Sequence, residues 1–143
     1  LAPGGGVAGA IHRKAGPKLY EECKKYAPIE TGQAVLTGGY NLPNPYVIHT
    51  VGPVYSEEKN PAEKLKMCFI NSLKLADNKG LKSIAFPAIS TGIFGYPVEE
   101  AAEVSIKAVI ETIPSLKSIK LIRFVLFDER TYFIFKKKLE NYL

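Results

Sequence analysis

Hydrophobic and polar positions along the chain follow two periods, one typical of helices and one typical of strands. The helical period is clearest over 60–79, a segment that begins at a possible capping residue, Asn60, and ends at Gly80. One face of this segment is apolar and would pack on a core. The residues of that face are Leu65, Phe69, Leu73 and Ala76.

The same reasoning divides the rest of the chain into alternating helices and strands. Further helices are predicted over 7–15, 17–26 and 97–113, and a last helix follows Asp128, which can cap it. Short strands are predicted over 33–37, 46–51, 83–89 and 119–127. The last strand, IKLIRFVLF, is expected to be buried. This alternation predicts an α/β fold.

Composition and charge exclude several classes of protein. The chain has 143 residues, 46% hydrophobic and 23% charged, as expected of one soluble globular domain. It has no apolar run of about 18 residues that would span a membrane. The net charge of +5 permits a polyanionic partner, but the lysines are spread out. Nucleic-acid binding is therefore not the expected function, and no membrane partner is expected.

The two cysteines, Cys23 and Cys68, are predicted to be small buried hydrophobic residues on apolar helix faces. A disulfide framework or a zinc site would need more ligands at closer spacing. We therefore expect no metal site, and a reducing, cytoplasmic location.

Two glycine-rich segments are the candidate sites for chemistry. The first glycine loop, Gly4–Gly9, opens a helix, and the second, Ser90–Tyr96, lies between a predicted strand and the next helix. Free backbone N–H groups at such positions bind anions, and two facing loops would suit a diphosphate. Either loop alone could equally be a tight structural turn. The first loop matches GxGxxG, but no strand precedes it, so a dinucleotide fingerprint is not supported.

Four segments together resemble the macrodomain family, in order and spacing, from Pro3 to about Ala102. They are GGGVAGAIHRKAGPKLYEEC, TGQAVLTGGYNL, YVIHTVGPVY and FPAISTGIFGYPVEEAA. The resemblance is greatest to the MacroD-like branch, some of whose members hydrolyse mono-ADP-ribose from proteins or deacetylate O-acetyl-ADP-ribose. It implies a three-layer α/β/α fold with a mixed, mostly parallel central sheet. The implied partner is ADP-ribose or an ADP-ribosylated protein, without a cofactor.

The resemblance also implies which residues touch the ligand. Val7 and Ile93 would close over the diphosphate, and Phe94 would pack against the distal ribose. Phe127 would stack on the adenine, unless it belongs to the core at the end of the last strand. The implied ligand-binding residues are Gly5, Gly6, Val7, Ala8, Ser90, Thr91, Gly92, Ile93, Phe94, Gly95 and Phe127.

Two departures from the family pattern limit what the resemblance implies. Hydrolytic MacroD-like members have an aspartate, thought to orient or activate water, where this chain has Ala8. His12, one helical turn later, is at most a modest candidate for assisting a water and is otherwise a structural polar group. His49 is expected to be packed or hydrogen-bonded in its strand.

The second departure is that family members carry an earlier strand pair, an adenine-reading aspartate and an asparagine-bearing segment. We therefore expect residues 1–143 to be a single macrodomain that lacks its N-terminal strands, because the predicted strands alone leave a gap in the sheet. The predicted function is ADP-ribose binding with at most weak hydrolysis. The alternative is an efficient ADP-ribosyl ester hydrolase or O-acetyl-ADP-ribose deacetylase, which would rely on electrostatic stabilisation.

Overall fold

The computed structural model describes Leu1 and residues 4–143. In that part of the chain, helices and strands follow one another as the hydrophobic pattern predicts. The helices are α1 (Gly6–Ala15), α2 (Pro17–Cys23), α3 (Pro61–Asn78), α4 (Val98–Thr112) and α5 (Glu129–Glu140), and the strands are β1 (Ala34–Gly38), β2 (Tyr46–Thr50), β3 (Ser83–Phe86) and β4 (Leu121–Phe124). None of these helices combines the length and apolar character needed to cross a membrane.

The strands pair in two separate sheets. Strands β1 and β2 are antiparallel, with Thr37 opposite Val47, whereas β3 and β4 are parallel, with Phe86 opposite Phe124. The predicted α/β class and mixed strand directions are confirmed. The described strands do not join into one sheet.

Side-chain caps fix the starts of the two helices for which they were predicted. The Asn60 side chain accepts the backbone N–H of Glu63 at 3.3 Å, and Pro61 occupies the first turn of α3. The Asp128 carboxylate accepts the N–H of Thr131 at 2.8 Å at the start of α5. Each cap satisfies a donor that the helix itself leaves unpaired.

The main core lies between α3, α4 and the parallel pair of strands. The apolar face of α3 predicted from its period is fully buried there. Phe69 lies against Phe86 and Phe124, with ring centroids 4.8 and 5.9 Å away. A smaller cluster of Ala15, Leu19 and Cys23 joins α1 to α2. Cys23 and Cys68 are both buried and unpaired, as predicted.

The prediction of a long buried strand over 119–127 is wrong in length and in burial. Strand β4 covers only Leu121–Phe124, because its partner β3 has four residues and ends directly before Pro87. Exposed and half-buried residues alternate along β4. Phe127 therefore lies three residues beyond the strand, in the segment that leads to α5.

Candidate functional site

The first glycine loop ends in the N-terminus of α1. Gly5 is extended, Gly6 has a φ of 59°, and the first helical hydrogen bond runs from the N–H of Gly9 to the carbonyl of Gly5. The N–H groups of the three residues between them, Gly6 to Ala8, consequently have no partner within the helix. A Cβ at Gly9 would overlap the carbonyl oxygen of Gly4, so this turn requires glycine there.

The second glycine loop, after β3, is closed by its own backbone. The N–H of Tyr96 donates to the carbonyl of Ser90 at 2.9 Å, and the N–H of Gly95 to that of Gly92 at 3.0 Å. Inside this closed turn, the N–H groups of Gly92, Ile93 and Phe94 donate to no group among the described residues. Three consecutive N–H groups without a protein acceptor are suited to an anion.

The second loop is supported by two residues that were not selected from the sequence. A Cβ on Gly52 would overlap the buried hydroxyl of Ser90, so the chain after β2 packs directly under the loop. The N–H of Tyr55 donates to the carbonyl of Phe94 at 3.0 Å, and its ring lies 4.8 Å from that of Tyr96. Both residues lie within YVIHTVGPVY, one of the segments that carries the family resemblance.

The left-handed backbone in the second loop lies at Ser90 and Gly95, which have φ values of 68° and 73°. Gly92, between them, has a φ outside the left-handed region, and a Cβ there would meet nothing within 4 Å. The fold itself therefore tolerates a side chain at Gly92, and only a bound ligand would exclude one.

The apolar residues expected around the ligand are exposed. Ile93 and Phe127 are each 99% exposed, Val7 is 49% exposed and Phe94 is 38% exposed. The alternative that Phe127 belongs to the core is therefore wrong. Exposed aromatic and aliphatic side chains beside free amides are typical of a binding surface rather than of a structural turn.

A cavity of about 500 Å³ adjoins the second loop. Thr91 lines it beside the basic side chain of Arg130, which was not predicted from sequence. Glu99 and Glu100 line it too, in the first turn of α4. These carboxylates already complement the dipole of α4, so an anion would be held by the loop amides rather than by the end of that helix.

Ala8 and His12 are one helical turn apart on α1 and differ in their burial. Ala8 is exposed in the first turn, which contains no acidic residue. His12 is buried, with 9% of its surface exposed, and its Nδ1 has no partner among the described residues. Burial lowers the pKa of His12. This placement favours a structural role for His12 over assistance to a water at the loop.

His49 is packed and hydrogen-bonded in β2, as predicted. Its Nε2 lies 2.9 Å from the hydroxyl of Thr37 and 3.7 Å from the sulfur of Cys23. Burial, with a smaller contribution from the charge of His12, lowers the pKa of His49 to about 4. The ring is therefore neutral at neutral pH.

The chain is similar to known proteins in sequence and in fold. The Macro domain family model matches residues 1–105. The chain belongs to the macrodomain family. It is 47% identical to the O-acetyl-ADP-ribose deacetylase of Escherichia fergusonii, over 97% of this chain and 81% of that protein. It is 46% identical to the ADP-ribose glycohydrolase MACROD2 of Xenopus laevis, over 99% of this chain and 35% of that protein.

A solved structure gives the same result for this macrodomain. The Oceanobacillus iheyensis macrodomain with ADP superposes with a TM-score of 0.93 and 39% identity, covering 97% of this chain and 77% of that chain. The predicted family, its MacroD-like branch and the predicted fold are thus confirmed.

Proposed function

We propose that this macrodomain binds ADP-ribose and its derivatives between the two glycine loops, with at most weak hydrolysis. The observation that carries the proposal is the pair of free amide sets, Gly6 to Ala8 in the first loop and Gly92 to Phe94 in the second. Each set offers uncompensated donors, and a diphosphate has oxygens for both.

The side chains around the loops suit the rest of that ligand. Val7 and Ile93 are exposed apolar residues at the amide sets and would cover the diphosphate. Phe94 would pack on the distal ribose, and Phe127, which is free of the core, would stack on the adenine. The remaining contacts are proposed for Gly5, Ser90, Thr91 and Gly95, which belong to the same two loops.

A second candidate function is efficient hydrolysis of ADP-ribosyl esters. Support comes from the relatives named as a deacetylase and a glycohydrolase. Against it, the first turn of α1 offers the methyl group of Ala8 and no carboxylate, so no side chain there can take a proton from water. We therefore favour the binder, with ADP-ribosylated proteins as its partners. The two unpaired cysteines suit a reducing compartment such as the cytoplasm.

Calorimetry with ADP-ribose and AMP tests the proposal. We expect ADP-ribose to bind with a micromolar or lower Kd, about −8 kcal/mol. AMP carries one phosphate and no distal ribose, so it leaves one amide set unused and should bind at least about tenfold more weakly. Equal affinities for the two ligands would contradict binding by both loops. A steep loss of ADP-ribose affinity with salt, together with tight oligonucleotide binding, would favour a nucleic-acid function instead.

A further inference from the structure

Three potential metal ligands, two of them buried and one half-buried, lie close together in the structure. The His–Cys–His cluster consists of His12 on α1, Cys23 at the end of α2 and His49 on β2. One ligand atom from each residue lies within 4.8 Å of the others. From sequence no metal was expected, because these residues are scattered along the chain. Folding brings them together.

The distances within the cluster are close to those of a tetrahedral zinc site. Zinc bonds of about 2.0–2.1 Å to nitrogen and about 2.3 Å to sulfur place neighbouring ligand atoms about 3.5 Å apart. The sulfur of Cys23 is 3.9 Å from Nδ1 and 3.7 Å from Nε2 of His49. The remaining ligand must therefore move inwards by only about 1 Å, a change that rotation of a histidine side chain can supply.

The hydrogen bonds around the cluster leave nitrogen atoms available to a metal. The hydroxyl of Thr37 donates to the carbonyl of Gly38 at 3.2 Å, so its oxygen can accept the Nε2–H of His49 at 2.9 Å. In the tautomer with the proton on Nε2, Nδ1 of His49 keeps a free electron pair, as in many metal sites whose histidine ligands donate to an outer residue.

His12 provides an independent observation. Its side chain is buried, with 9% of its surface exposed, and its Nδ1 has no hydrogen-bond partner in the described part of the chain. A buried polar atom without a partner costs free energy, and such an atom calls for an explanation. An ion held between His12, Cys23 and His49 would supply the partner.

We propose that the His–Cys–His cluster is a zinc site, with Nδ1 of His12, Sγ of Cys23 and Nδ1 of His49 as ligands and a water molecule as the fourth. Two imidazoles and a thiolate select zinc over magnesium or calcium, which prefer oxygen. Binding forms the Zn–S bond and releases the proton of the Cys23 thiol to solvent. The site would tie α1, α2 and β2 together, independently of ADP-ribose binding.

The carboxylate of Glu22 interacts electrostatically with both Cys23 and His49, and its negative charge favours a cation in the cluster.

Zinc loading of matched cysteine variants tests this site. The protein is stripped with a chelator, exposed to zinc chloride alone and dialysed, and bound zinc is measured by mass spectrometry and by competition with a chromophoric chelator. Cys68→Ser is the control, because Cys68 is equally buried but donates to the carbonyl of Val51 at 3.3 Å. Wild type and Cys68→Ser should bind about one zinc per chain, and Cys23→Ser should bind at least about tenfold more weakly.

Cobalt in place of zinc keeps the proposal testable if Cys23→Ser fails to fold. A cobalt–thiolate bond gives a charge-transfer absorption in the near ultraviolet, which wild type and Cys68→Ser should both display. Wild-type protein that takes up no zinc, or a cobalt spectrum without the sulfur band, would overturn the proposal. Equal zinc affinity of wild type and a folded Cys23→Ser variant would overturn it as well.

Discussion

Ala8, which is exposed in the first turn of α1, is the residue that distinguishes the two candidate functions, ADP-ribose binding and efficient hydrolysis. A carboxylate at this position would lie at the positive end of the helix dipole, in a turn that has no acidic residue of its own. The same carboxylate would stand close to the proposed diphosphate. Adding it should therefore stabilise the free protein, weaken ADP-ribose binding and provide a base for water.

Ala8→Asp should accelerate release of ADP-ribose from a mono-ADP-ribosylated protein under single-turnover conditions. A well-placed base contributes about 10²- to 10⁴-fold, and we expect less because the residues around Ala8 are not arranged for it. The control is Ala10→Asp, which adds the same charge at an exposed position outside the first turn. Fast hydrolysis by wild type, unchanged in Ala8→Asp, would favour the enzyme over the binder.

A substitution at Gly92 tests whether a side chain there is excluded by the bound ligand or by the fold. Its backbone is not left-handed and a Cβ there would meet no atom within 4 Å, so Gly92→Glu should fold normally. The new carboxylate would meet the phosphate and repel it, so ADP-ribose binding should fall by at least about a hundredfold. Calorimetry measures the binding, and circular dichroism checks the fold.

A matched control for Gly92→Glu is Ser83→Glu. Ser83 is exposed at the start of β3, whereas the second loop follows the end of that strand. The two variants therefore carry the same added charge, one at the start of β3 and the other in the loop that follows the strand. Tight ADP-ribose binding by Gly92→Glu, or an equal loss in Ser83→Glu, would contradict the assignment of the phosphate site.

At the scale of elements, local signals placed the helices more accurately than the strands, although α2 ends at Cys23 and not at the predicted residue 26. Helix α3 begins at Pro61 as predicted, because Asn60 caps it and its apolar period covers its whole length. Strand β4 is shorter than predicted, because its length depends on pairing with β3, which a hydrophobic run does not reveal. The exposure of Phe127 follows from that difference.

Strand β2 carries a pH-sensitive residue, His49. Its pKa is about 4 in the folded protein and near 6.5 when unfolded, so between these values the unfolded chain binds more protons. The contribution to stability is fully present above about pH 6.5 and is lost as the pH falls towards about 4. The shift sets an upper bound of about 3 kcal/mol, and partial exposure of His49 reduces it to about 1–2 kcal/mol.

Urea unfolding at about pH 7.5 and about pH 5, with a chelator present, measures this contribution. His49→Gln keeps a partner for Thr37 and should lose most of the difference between the two pH values. His12, whose pKa is also lowered, should account for the rest. Asp77 accepts three backbone N–H groups and its pKa is lowered too, so its contribution is lost only at more acid pH. Equal pH dependence in wild type and His49→Gln would contradict the role of His49.

At the scale of the whole molecule, the sequence predicted which segments are candidates for ligand binding, but not which segments come into contact in the fold. Both glycine loops were found from their composition and from the helices that follow them. The support of the second loop by Gly52 and Tyr55 depends on the path of the chain after β2. The His–Cys–His cluster depends on the packing of α1, α2 and β2. Contacts of this kind between distant segments arise from tertiary packing, which the local periodicity of the sequence does not reveal.

The simultaneous use of both loops is tested by amide chemical shifts during a titration with ADP-ribose. We predict the largest changes at Gly6 to Ala8 and at Gly92 to Phe94, saturating together at one ligand concentration. Amides at the far end of α3, Lys74 to Asn78, should not move. Changes confined to one loop, or centred outside both, would contradict a diphosphate site built from the two amide sets.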